Sequence, residues 1–84
     1  MSKPRYVERI SVHDIEILPG GRLHPAHAAA YIGRHPEVLR KWRQQGKGPP
    51  FHRLPGYERG GIYYLKRDLD QWMKASKVTH PLPG

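Results

Sequence analysis

Two His-Pro dipeptides, His24-Pro25 and His35-Pro36, each open a run that a glycine closes, at Gly33 and at Gly46. Proline suits the first turn of a helix, where its missing N–H costs nothing, and glycine suits the position just past a helix end. The spacing therefore predicts two short helices with only Gly33 to His35 between them. So tight a connection forces the pair to cross sharply, as in a helix-turn-helix.

Helical phase then divides each segment into faces. In the second, Pro36 to Gln45, Val38, Leu39 and Trp42 fall within about 100° of one another and face the first helix. Arg40, Gln44 and Glu37 lie opposite, and Lys41 and Arg43 flank that polar side. In the first, Ala28, Ala29 and Ile32 form a narrow inward stripe, leaving Ala26, His27 and Ala30 outside. Small residues there let another helix approach closely. His24 is the predicted N-cap, a poorer one than Ser, Thr, Asp or Asn, which forgoes part of the usual ~1 kcal/mol of capping.

Downstream, "GKGPP" at 46–50 cannot continue a helix, and "FHRL" and "IYYL" flank the Gly/Pro-rich "PGYERGG". That pattern predicts a β-hairpin with Phe51, Ile62 and Tyr64 inward, and His52, Arg53, Tyr57, Arg59 and Tyr63 on the exposed side or tip. "RDLDQWMKA" predicts a third, packing helix with Leu69, Trp72 and Met73 on one stripe. Its Asp68 in the first turn and Lys74 in the last suit the helix dipole. Residues 1–22 alternate weakly until "LPGG" interrupts them, which fits a bulged strand or an arm ordered on a partner. Residues 76–84, rich in proline near the end, read as a flexible tail. The expected fold class is α+β: a small winged helix-turn-helix over residues 23–75, with a two-stranded hairpin wing, a packing helix and an N-terminal arm.

Charge placement narrows the function. Of 84 residues carrying a net charge of +8, the segment 34–67 holds nine positive and two negative side chains, whereas 1–33 holds four and three and 68–84 two and two. A block so concentrated is the footprint expected for a polyanion partner. A solvated basic face, or a module that docks an acidic protein and has no DNA role, is the competing reading. The chain has no cysteine, which removes disulfides, thiolate zinc sites and Cys nucleophiles. No apolar run approaches the roughly 18 residues of a membrane span, and no secretory signal opens the chain. A soluble cytoplasmic protein is expected.

Among chemical sites, His24 and His27 stand at i, i+3 spacing without a recognisable third ligand, so no metal is expected. Asp68 and Asp70 are two apart on a helix and point to different faces, which prevents a paired-carboxylate site. For His52 or Tyr63 as a lone base or nucleophile, nothing in the neighbouring sequence supplies activation. Trp42 and Trp72 each lie on an apolar stripe and are assigned to the core rather than to base stacking. No enzyme and no cofactor is expected. The candidate DNA-reading set is Pro36, Glu37, Arg40, Lys41 and Gln44, because Arg presents a fork to guanine, Gln a fork to adenine, and Glu accepts from cytosine. Arg34, Arg43, Lys47 and Arg53 are candidate phosphate contacts. Tyr57 and Arg59 are candidates at the wing tip, where an Arg suits a narrow minor groove or a phosphate.

The segments "AAAYIG" (28–33), "LRKWRQQGKGPPF" (39–51) and the Tyr64 to Trp72 run "YLKRDLDQW" together resemble the small winged-helix proteins grouped with phage excisionases and MerR-like DNA-binding domains, over about residues 23–75. The resemblance implies a second helix that enters the major groove and a wing that touches the flanking minor groove. It departs at His24, Pro25, Ala26 and His27, where such proteins usually show Thr-Pro-Glu-Glu, and that bears on capping. Family roles divide between recombination directionality factors, which bend attachment-site DNA so that a site-specific integrase excises a mobile element, and small MerR-like or AlpA-like transcriptional regulators. A domain without an effector module leans toward the first, in a bacterial or phage-type, nucleoid-associated setting. One module touches few base pairs, so several copies side by side on double-stranded DNA are expected.

Overall fold

The computed structural model describes residues 9–76; the ends of the predicted arm and tail, 1–8 and 77–84, lie outside the described residues. Three helices and a three-stranded antiparallel sheet make up the fold: β1 (Arg22–Leu23), α1 (Pro25–Ile32), α2 (Pro36–Gln45), β2 (His52–Arg53), β3 (Ile62–Leu65) and α3 (Lys66–Ala75). This is the α+β winged helix-turn-helix architecture expected.

Each helix boundary has a local cause. At the start of α1 the Nδ1 of His24 accepts a hydrogen bond from the Ala26 N–H at 3.4 Å, and at α2 the Nδ1 of His35 accepts from Glu37 at 3.0 Å. Histidine thus caps both helices by the same means that Asp or Asn would use. At the far ends Gly33 (φ 79°) and Gly46 (φ 72°) take the left-handed conformation, and the next N–H turns back into the helix: Arg34 to Ala29 O at 2.8 Å, Lys47 to Trp42 O at 2.9 Å. α3 follows β3 without a loop, and the Ser76 hydroxyl closes it by donating to Trp72 O at 2.8 Å.

The sheet order is β1-β3-β2, so the wing hairpin acquires a third strand from the N-terminal side. Arg22 pairs with Leu65 and Leu23 with Tyr64, while His52 pairs with Tyr63 and Arg53 with Ile62. Before β1 the chain makes two short 3-10 turns, Val12–Asp14 and Pro19–Gly21. Between them Ile15 packs against the core, and the Glu16 N–H donates to His27 Nδ1 at 2.9 Å. His27, expected on an open face, is instead the point at which this segment is tied to α1. The expected two-stranded hairpin wing is present as β2 and β3, and β1 adds a third strand to it.

Leu23, Ala28, Ala29, Leu39, Tyr64 and Leu69 form the buried core, with Ile15, Tyr31, Ile32, Trp42 and Ile62 packed around it. Each buried leucine contributes about 1.5–3 kcal/mol relative to exposure. Ala28 and Ala29 place the backbone of α1 close enough to α2 for Leu39 to be fully covered. Trp42 sits at the rim of this core, half-buried, with its ring 5.5 Å from that of Trp72. Gly48 (φ 90°) lies against the indole so closely that an added Cβ would come within 2.7 Å of it. Phe51, expected inward, is 37% exposed; the buried residue of that loop is Pro49.

Candidate nucleic-acid interface

Because Leu39 and Trp42 turn toward protein, the opposite side of α2 is left outward, and Arg40, Lys41 and Gln44 are exposed there. Pro36 and Glu37 at the start of the helix are half-buried. The Glu37 carboxylate accepts from Nε of Arg40 at 2.7 Å and from its Nη2, a partly exposed pair one turn apart. That hydrogen bond holds the Glu37 carboxyl below its ordinary pKa, with the charges of Arg40, Lys41 and His35 adding in the same direction. Glu37 is thus engaged with Arg40 in the free protein.

The candidate phosphate contacts do not share one environment. Arg34 lies in the turn with its guanidinium 5.6 Å from the centre of the Trp42 ring, a cation–π contact. Arg43 is half-buried, and its Nη1 donates to the Tyr64 hydroxyl at 2.9 Å. Burial pushes the Tyr64 hydroxyl pKa up, with the Arg43 hydrogen bond acting against it. Arg43 therefore satisfies a core polar group, a role that helical phase does not reveal. Arg53 donates to Gly60 O at 2.8 Å and so closes the wing across its loop. Lys47, just beyond α2, is exposed.

The wing tip, residues 54–61, is held by the Leu54 N–H to Gly61 O bond at 2.9 Å. Tyr57 is 55% exposed and rests on Gly61, where an added Cβ would meet the ring at 2.8 Å. Arg59 is exposed. Between α2 and the wing lies a recess of about 380 Å³ lined by Arg40, Arg43 and Gln44 on one side and by Arg53, Glu58 and Arg59 on the other. Phe51 and Ile62 complete it. Sequence reasoning missed Phe51 and Glu58 as members of this surface. The rigid Pro49-Pro50 pair before Phe51 was the available signal.

Several polar groups elsewhere are engaged within the fold. Asp70 accepts from the Tyr31 hydroxyl at 2.5 Å and from Lys66 at 3.0 Å. Asp68 instead lies 3.3 Å from His52, whose ring stacks on Tyr63 at 5.3 Å. The two aspartates do point apart, and Asp68 stands beside His52, where no activating neighbour was expected. His24 and His27 meet edge to face at 6.5 Å, and among the described residues no three His, Asp or Glu side chains gather as a metal site. No helix among the described residues is long and apolar enough to cross a membrane.

Residues 23–77 match the sequence model of a family described as a helix-turn-helix domain. No curated protein and no solved structure gives a significant match.

Proposed function

Because the chain belongs to this helix-turn-helix domain family, a DNA-binding architecture whose second helix reads the major groove, we propose that it binds specific double-stranded DNA sites through α2. The observation that carries the reading is the division of α2: Leu39 is fully buried while Arg40, Lys41 and Gln44 are exposed. On this reading Arg40, Lys41 and Gln44 meet base edges, Arg34, Arg43, Lys47 and Arg53 meet phosphates, and the wing tip carries Tyr57 to the flanking minor groove and Arg59 to that groove or to a phosphate at its edge. The role that the motif resemblance supports best is that of an excisionase. It would bind attachment-site DNA in several side-by-side copies, bend it, and so direct a site-specific integrase to excision.

Binding titrations across salt test the first claim. With about six phosphates contacted, the log–log slope should be near −5; salt-insensitive binding would contradict it. Arg40→Ala should weaken binding to the specific site about tenfold or more beyond its effect on random duplex, whereas Lys47→Ala should weaken both alike. Equal losses for the two variants would sink the division of roles. Circular-permutation gel shifts separate the excisionase from a small transcriptional regulator, since fragment-independent mobility would indicate no bend.

A further inference from the structure

Phe51 holds an aromatic ring at the surface in the midst of guanidinium groups. Its ring lies 6.2 Å from that of buried Tyr64, so its position is set by the core, yet it remains 37% exposed. It shares the recess between α2 and the wing with Arg40, Arg43, Arg53 and Arg59, against a single acidic neighbour, Glu58. In B-form DNA a major groove and its neighbouring minor groove are separated by one sugar–phosphate strand. With α2 in the one and the wing tip in the other, that strand must cross between them, where this recess lies. A sugar–phosphate strand alternates anionic oxygens with apolar deoxyribose C–H surface, the same two chemistries that the recess presents.

We propose that the recess seats one backbone phosphodiester of the bound duplex. Arg59 and Arg53 close on it from the wing and Arg43 from α2, and Phe51 packs against the adjoining deoxyribose. The inference rests on the DNA-binding reading above and goes beyond it by adding a residue and by bringing helix and wing contacts together on one phosphate. Deoxyribose and phosphate are the same at every position, so the clamp contributes affinity and register rather than base preference.

The test uses the full chain and duplexes in which single phosphates are replaced, one at a time, by uncharged methylphosphonates. Wild type should show a position where neutralisation weakens binding about tenfold, of the size of a lost charged contact. The same replacement should cost Arg59→Ala little more, because the contact has already gone. Phe51→Ala should weaken binding to specific and random duplex alike, by about fivefold. Thermal unfolding of each variant fixes a titration temperature at which all are folded, and Arg59→Ala, altered at an exposed tip, tests the clamp independently of the core. Wild-type affinity in Phe51→Ala overturns the proposal, as does strict additivity at every phosphate or a Phe51 effect confined to one base pair. Each of those outcomes leaves salt-dependent wild-type binding standing, whereas failure of the wild type to bind any duplex would instead remove the reading beneath it.

Discussion

Arg40 and Arg43 stand three residues apart on α2, and their partners give them different work. Arg43 donates to the hydroxyl of Tyr64, which is 1% exposed, so Arg43→Met keeps the stem but strands a buried hydroxyl. That should lower stability by about 1–3 kcal/mol, read by denaturant titration, whereas Lys47→Ala should leave it unchanged. Equal stability in the two would show that the contact adds nothing. Arg40 is held by Glu37 instead. Glu37→Gln removes that charge, so affinity for random duplex should rise and the ratio of specific to random binding should fall in competition titrations. A ratio left unaltered would mean that Glu37 does not position Arg40. Helical phase made the outward side of α2 legible, because the apolar residues of one helix settle its orientation. It gave no sign of the Tyr64 contact, whose partner lies 21 residues away on a strand, nor of Phe51, whose exposure is set by how the Pro49-Pro50 loop leads from α2 into β2.

At the scale of elements, three imidazoles hold backbone N–H groups through Nδ1: His24 and His35 at the helix starts, and His27 where the N-terminal segment meets α1. Each bond requires Nδ1 unprotonated, so the ring proton must sit on Nε2. A protonated cap would lose its acceptor and place positive charge at the positive end of the helix dipole. For His24, burial together with the nearby charges of His27 and Arg43 lowers the pKa below its usual 6.5. The folded chain then binds fewer protons than the unfolded one, so the contribution of His24 is complete above about pH 6.5 and is lost as pH falls toward the folded value. A full cap is worth about 1 kcal/mol, or roughly 4–8 °C in a domain of this size, and the 3.4 Å bond of His24 sets its share below that. Thermal unfolding between pH 7.5 and about 5 should show a decline, and His24→Asn, which caps without titrating, should lessen it. An identical decline in that variant would assign the pH dependence elsewhere. The positions of both caps were legible from His-Pro, but their strength was not, because a histidine caps well only when its ring is held with Nδ1 turned inward.

For the molecule as a whole, the sheet joins parts that local sequence keeps separate. The break at "LPGG" suggested that the folded unit begins near residue 23, but the pairing of Arg22 with Leu65 and Leu23 with Tyr64 carries the N-terminal segment onto the wing's inner strand. A ladder of two residues leaves almost no periodic trace, and its partner lies some forty positions along the chain. Two truncations follow from this. Removing residues 1–17 takes away the half-buried Ile15 and the Glu16–His27 bond but leaves β1, so the loss should be about 1–2 kcal/mol. Cooperative unfolding should then be retained, because β1 still pairs with β3 and covers Tyr64. Removing residues 1–23 also takes away Leu23, fully buried in the core, and the edge strand that covers β3. A buried leucine is worth about 2–5 kcal/mol on truncation, against a total stability of 5–15 kcal/mol that is common for whole domains and low in small ones. The longer deletion should therefore abolish cooperative unfolding and DNA binding together. A cooperative transition retained by it would show that β1 is an accessory to the wing, whereas its loss would place the N-terminal segment within the folding unit.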